Sequence, residues 1–583
     1  MTSLVLAAVL LGFSSAAPDP LGADLVRLRG TDFAGGGNAL FGPEHAGVWG
    51  VNYVYARSTG DHASMMASFT ASNDDGANQV LHLYGRDDDG EGNCPIRIVL
   101  NDVEVFEGRN EHPSDTFGWV AYPLPPNALQ AGQNTLRVEN GSAEGPLGGP
   151  PWFIVARAVI APEGVPPALP PRFEENVRIR LPEEKRPIPE PLAEGVTHGF
   201  PLRGTKGWIW SPEQYLAEVP YLADLKMNFL MICYGSMCDI EHYPWGDPEC
   251  NRWWEPLPEA KRKAYEKVLS ACQARGIELC LSMNPNLSSS RALDYDSDAD
   301  FEALWQHYTW MQTRGMRWFC LSLDDITRGI DASGQARLAN RLLEHLRAAD
   351  PKAELIFCPS FYWGDGSGED ETTYLTTLKA ALHPDAFVFW TGDAVVGRIT
   401  CRAAAAYRAR VGHRIIIWDN YPVNDAHPTL HLGPVTGRDP RLPEICHGYM
   451  GNPLHSENEL NRIPLATCAD FAYNPTAYDP ARSIGQAILW QADTPEQRAV
   501  LRDLVSLYPG MLVYGKGTNF NPVVHQMNAI LGLPQSAHLA EVYLAHVMDV
   551  AARLEAAFPD RYVAGRATLA KSIALLESMV AAE

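Results

Sequence analysis

The sequence predicts a multidomain chain: an N-terminal β-sandwich, a central (β/α)8 barrel and a C-terminal helical bundle. Three observations carry that prediction. Short β-rich segments separated by Gly, Asn, Asp and Pro clusters fill the first quarter of the 583 residues. From about residue 196, apolar runs too short for helices alternate with amphipathic stretches. After about residue 480 only helical periodicity remains.

The first element is an apolar run at 4–13 (LVLAAVLLGF) followed by SSAA. It is too short to span a bilayer and reads as a signal-peptide core within residues 1–17, which implies a secreted or periplasmic protein. Residues 23–162 then give the segments VLHLYG (80–85), IRIVLND (96–102), FGWVAYPL (117–124) and NTLRVEN (134–140), the spacing of an antiparallel sandwich. The pattern resembles the galactose-binding-like jelly rolls attached to carbohydrate-active enzymes. That likeness implies a carbohydrate-binding module, with a purely packing domain as the alternative. Residues 163–195 are rich in Pro and charge and read as an extended, semi-stiff linker.

Residues 196–480 supply the barrel. Its expected strands are HGFPLR (198–203), NFLMIC (228–233), IELCLSM (277–283), RWFCLSL (317–323), ELIFCP (354–359), AFVFWT (386–391), HRIIIW (413–418) and HGYMGN (447–452). Runs without alternation suit strands buried on both faces, and repeated β–α units imply a parallel sheet. An open doubly wound sheet is the alternative, but no glycine-rich phosphate loop follows any strand. Helices are expected at 258–275 and 298–314. Another starts at Pro212, with Ser211 as N-cap and Gln214 completing a capping box. Residues 481–583 hold amphipathic segments at 494–508, 522–531, 536–557 and 563–582, the pattern of a small bundle.

Composition narrows the function. A hydrophobic fraction of 46% and a charged fraction of 20% are those of an ordinary globular protein. A net charge of -23 argues against nucleic acid as a partner, since nothing displaces the counterions of a phosphate backbone. No segment after the first is long and apolar enough to be a membrane span. Of eleven cysteines, Cys233, Cys280, Cys320 and Cys358 sit in or at the end of strand-like runs, where thiols behave as small hydrophobes. Cys238 and Cys250 share one loop and are a candidate disulfide in an oxidising compartment. No cofactor motif appears, and no His or Cys pair, His431 and His455 included, has metal-ligand spacing.

In a barrel the chemistry collects at the C-terminal strand ends. Those positions hold Asp324 and Asp325, Tyr362 and Trp363, Thr391, Trp418 and Asn420, Asn424 and Asp425, and Asn452. Carboxylates, amides and aromatic rings together suit a neutral pyranose, whose hydroxyls need hydrogen bonds and whose C–H faces need flat apolar surfaces.

The motifs WDNYPVND (418–425), LHLGPVTGRDP (430–440), GNP (451–453), FWTG (389–392), SLDDI (322–326) and CPSFYWGD (358–365) resemble the catalytic domain of glycoside hydrolase family 84. That family includes bacterial β-N-acetylglucosaminidases and protein O-GlcNAcases. The resemblance covers 196–480 and implies a retaining, exo-acting enzyme using substrate-assisted catalysis through an oxazoline, without a cofactor. Its partners would be glycans or glycoproteins bearing N-acetylhexosamine. By the same resemblance Asp325 is the general acid and base, and Asp324 holds the substrate's acetamido N–H. Tyr362, Trp418, Thr391 and Val396 would line the acetamide pocket. Asn420 would orient the acetamide region, Asp425 and Asn452 would bind sugar hydroxyls, and Gly204 would border the sugar from the first strand. The chain departs from the family at that strand, which reads Gly204-Thr205-Lys206-Gly207, and at Gly235, where the family carries a sugar-binding lysine. Lys206 on the neighbouring strand is the candidate replacement. A non-catalytic sugar-binding protein and a hyaluronidase-like polymer hydrolase are the alternative functions.

Overall fold

The computed structural model describes residues 26–36, 51–71, 78–87, 92–114, 117–146, 150–164, 179–193, 199–237, 250–326, 329–424, 430–454, 458–510, 521–531 and 536–582. The signal-peptide segment, Cys238, Asp425 and His455 lie outside the described residues.

The N-terminal region is a sandwich of two sheets. Its strands are β1 (Val26–Arg29), β2 (Ala34–Gly35), β3 (Asn52–Tyr55), β4 (Ser64–Ala71), β5 (Gln79–Asp87), β6 (Pro95–Leu100), β7 (Val103–Arg109), β8 (Gly118–Pro123), β9 (Gly132–Asn140) and β10 (Trp152–Pro162). One sheet has the order β1-β10-β5-β8, with β3 also paired to β10, and the other β2-β4-β9-β6-β7. Leu81 and Leu83 of the first meet Ile96, Ile98, Leu136 and Val138 of the second in a common core. Strand β10 shows no in–out alternation, because it is buried from Trp152 through Ala161. Phe153 and Val155 face the sandwich core, while Ile154 and Ala156 join the core of the barrel. A strand covered on both faces has no side for polar residues.

The eight barrel strands close in chain order: β11 (Leu202–Gly207), β12 (Phe229–Ile232), β13 (Glu278–Met283), β14 (Trp318–Ser322), β15 (Glu354–Cys358), β16 (Phe387–Trp390), β17 (Arg414–Pro422) and β18 (Gly448–Asn452). Every pair is parallel, including β18 with β11. Helices at Glu259–Gln273 and Asp298–Gln312 follow the sequence expectation within two residues. The helix Pro212–Asp224 starts in the expected capping box, with Ser211 N donating to Gln214 Oε1 at 2.9 Å.

The first strand is the correction. The run 198–203 is mostly a lead-in, and the strand proper ends four residues later at Gly207. Its glycines are demanded by close packing. A Cβ on Gly204 would stand 1.9 Å from the Phe229 carbonyl oxygen, and one on Gly207 2.4 Å from the Tyr215 ring. Gly204 is therefore mid-strand, packed against β12, and contrary to the expectation is not among the residues lining the cleft at the barrel's C-terminal end.

Helices at Asn458–Tyr473, Pro480–Gln491, Pro495–Leu507, Pro522–Leu531, Ser536–Ala557 and Val563–Ala582 complete the chain. The described part of the Pro-rich stretch lies along them. Arg180 N donates to the Ala481 carbonyl, Arg186 N to Gln486 Oε1, and Trp490 Nε1 to the Arg186 carbonyl. Among the described residues no helix is long and apolar enough to cross a membrane.

Candidate active site

A cleft open to solvent at its mouth occupies the C-terminal end of the barrel. Its deepest carboxylate is set by β14. The ladder between β14 and β15 runs on to Leu323, whose N–H donates to the Cys358 carbonyl at 2.8 Å. Adjacent residues of an extended strand point to opposite faces. Asp325 breaks that rule with φ of 55°, a left-handed backbone that turns its carboxylate into the same cleft as Asp324.

The two carboxylates have unlike surroundings. Asp324 is buried, accepts the Tyr234 hydroxyl at 2.8 Å and accepts Asn284 Nδ2 at 3.2 Å. The same Nδ2 also holds the Asp324 backbone carbonyl at 3.0 Å. Asp325 is exposed toward the cleft and accepts the Tyr362 hydroxyl at 2.6 Å. Burial first, and the Asp325 charge second, hold the Asp324 carboxyl well above the ordinary carboxylate range; Lys206 and the Tyr234 hydroxyl act in the opposite direction. Charge on either acid therefore opposes charge on the other.

Lys206 reaches the cleft from β11. It is 1% exposed, with its ammonium 3.9 Å from the ring centre of Trp418 and 4.4 Å from that of Trp208. Its one hydrogen bond among the described residues is to Cys233 Sγ, at 3.8 Å. A buried cation held by ring faces and a thiol keeps donor capacity for an incoming acceptor.

The opposite wall comes from β16, β17 and β18. In β17, alternation sends Trp418 and Asn420 into the cleft and Asp419 away from it. Asn420 Oδ1 accepts Trp418 Nε1 at 3.0 Å and Asn452 Nδ2 at 2.8 Å, while its own Nδ2 donates to the Val395 carbonyl at 2.7 Å. Asn420 is thereby locked in one orientation. Asn452 Oδ1 is buried and has no hydrogen-bond partner among the described residues. Thr391 and Val396 also line the cleft. Asp419 instead takes both arms of Arg438, at 2.8 and 2.5 Å, and the Tyr449 hydroxyl at 2.5 Å. The WDN and GRDP motifs are thus joined by a buried ion pair behind the cleft.

The structure brings together Asp324, Asp325, Tyr362, Thr391, Val396, Trp418, Asn420 and Asn452 among the residues expected from sequence. It adds Tyr234, Trp208 and Asn284, which sequence reasoning misses. Trp208 and Asn284 directly follow the first and third strands, and Tyr234 lies two residues beyond the end of the second. His431 is buried. Among the described residues no three His, Cys, Asp or Glu side chains stand together as a metal site.

Residues 203–506, more than half of the chain, match the family model described as beta-N-acetylglucosaminidase. Among solved structures, a mutant of the Thermobaculum terrenum O-GlcNAc hydrolase is similar at 20% identity and a TM-score of 0.53, covering 66% of this chain and 82% of that one. The structure of CpGH84B is similar at 19% identity and a TM-score of 0.52, covering 73% of this chain and 68% of that one. At such identities these likenesses speak to fold.

Proposed function

The chain belongs to the beta-N-acetylglucosaminidase family, glycoside hydrolase family 84, and from that premise we propose that it removes terminal β-linked N-acetylglucosamine with retention, the substrate's own acetamide acting as nucleophile. The observation that carries this reading is the left-handed turn at Asp325, which gives one cleft two carboxylates in unlike environments. On this reading Asp325, nearer the mouth, donates its proton to the glycosidic oxygen. The C1–O bond breaks with its electron pair going to the leaving group. The acetamide carbonyl oxygen bonds to C1, and Asp324 accepts the acetamide N–H as positive charge develops. Water then attacks C1, giving its proton to Asp325, and the oxazoline opens.

Proton placement supports the same assignment. The free pair shares a proton, and a substrate N–H donated to Asp324 favours its charged form, leaving the proton on Asp325. Tyr362, Trp418, Thr391 and Val396 enclose the acetamide, and Asn452 Oδ1 accepts a sugar hydroxyl. The apolar run at 4–13 supports export, to a compartment where glycans or glycoproteins carrying N-acetylhexosamine are the substrates.

The test is hydrolysis of aryl β-N-acetylglucosaminide against the matching β-glucoside. Asp325→Ala lowers kcat/KM by about 10²–10⁴-fold. Only the 2-acetamido sugar is cleaved, and an oxazoline mimic inhibits. Full activity in Asp324→Ala overturns the substrate-assisted mechanism.

A further inference from the structure

We propose that Tyr55, on strand β3 of the sandwich, is a positioning residue for the sugar pocket and acts through Arg398. The inference rests on the reading of the cleft given above. Residues 391–400 run between β16 and the helix Cys401–Val411, and three of them, Thr391, Val395 and Val396, line the cleft. This segment has little regular structure of its own, so its shape is set by what holds it.

Three contacts do so. Asn420 Nδ2 takes the Val395 carbonyl at 2.7 Å. Ile399 N donates to the Gly437 carbonyl at 3.1 Å, and Asp439 N returns a bond to the Ile399 carbonyl at 2.9 Å. The third comes from outside the barrel. Arg398, 5% exposed, places its guanidinium 5.5 Å from the ring centre of Tyr55, itself 4% exposed. The Arg398 carbonyl accepts the Asp393 N–H at 3.0 Å, and the Asp393 carboxylate takes the Thr400 N–H at 2.9 Å. Tyr55 is fixed in turn, since its ring stacks on Tyr53 at 5.5 Å, which meets Trp152 edge-on at 5.7 Å. A chain of rigid contacts therefore runs from the sandwich sheet to Val395 and Val396.

A fixed guanidinium beneath a loop restrains the loop's position, and a wall displaced by a fraction of an ångström alters fit at the group it encloses. That group is the substrate's N-acyl chain. The sandwich is then part of the machinery that measures acyl size, in addition to any sugar it binds itself.

The full chain is tested as Tyr55→Ala, with Tyr55→Phe, Arg398→Ala and the Tyr55→Ala/Arg398→Ala double variant beside it. In Tyr55→Ala, KM for aryl β-N-acetylglucosaminide rises by roughly tenfold with kcat nearly kept, and preference for N-acetyl over N-butyryl falls, whereas Tyr55→Phe, which keeps the ring beside the guanidinium, stays near wild type. Amide exchange at Asp393, Ile399 and Thr400 quickens while the β14 and β15 amides stay protected. The double variant is no worse than Arg398→Ala alone. Wild-type selectivity and exchange in Tyr55→Ala overturn the proposal, as do additive effects in the double variant. A wild-type protein that cleaves no 2-acetamido glycoside removes the functional reading alone, because the exchange measurement still decides whether Tyr55 holds the segment.

Discussion

The Tyr362 hydroxyl donates to Asp325 Oδ1 across 2.6 Å, while Asp324 takes its own phenol from Tyr234. Each tyrosine stabilises the charged form of its carboxylate. Removing Tyr362's hydroxyl lets the pair hold its proton more tightly. Tyr362→Phe is therefore expected to move the alkaline limb of the kcat/KM profile upward and to lower kcat about tenfold, the loss of one well-placed hydrogen bond. A pH–rate series on an aryl glycoside measures both.

Lys206 acts on Asp324 in the opposite sense to burial. Lys206→Met keeps the stem and removes the charge, so Asp324 rises further and its ionised form appears only at higher pH. The acidic limb of the profile shifts upward and activity below neutrality drops by at least about tenfold. A pH–rate profile of each protein checks it.

The raised carboxyl of Asp324 also has a stability consequence. A group whose folded pKa lies above its unfolded value stabilises the fold below the unfolded pKa and loses that contribution as pH rises through the folded value, here about 7. The unliganded protein should therefore lose stability between pH 4 and pH 8 through this site. Asp324→Asn, which carries no charge to bury, flattens the dependence and gains most at pH 8. Denaturant midpoints at the two pH values decide it.

Asp419 and Arg438 predict a different outcome. Both side chains are 2% exposed and bidentate to one another. Removing one partner strands the other charge, at a cost of about 3–5 kcal/mol. Asp419→Ala is expected to lower stability by that amount and to alter kinetics only as far as Trp418 and Asn420 shift. Urea titration beside the kinetic constants separates this from a direct part in the chemistry.

Much of the barrel is legible in sequence because strands covered on both faces announce themselves as unbroken apolar runs. The first strand is the exception, for a reason of shape. Gly204 and Gly207 are present because β12 and Tyr215 press too close for a side chain, and they interrupt the apolar run by which a buried strand is read. The expected run therefore stops at 203, and Trp208 at the true strand end goes unnoticed. The Asp324-Asp325 pair is legible from its motif, but the bend that aims both acids inward is a backbone conformation no residue type at that position announces. Tyr234 and Asn284 are ordinary residues beyond apolar runs, and only the barrel's closure shows that they face Asp324.

Strand β10, hemmed in on both flanks, also bears on how the chain is made. The sandwich leaves the ribosome first, with Tyr53, Trp152 and Ile154 on a flank that only the later-emerging barrel will cover. At about 5–20 residues per second, that flank waits tens of seconds before the segment carrying Arg398 has been synthesised. During this interval the nascent chain displays a greasy wall, and its yield on expression should depend on chaperone supply more than the finished protein's thermal resistance would suggest.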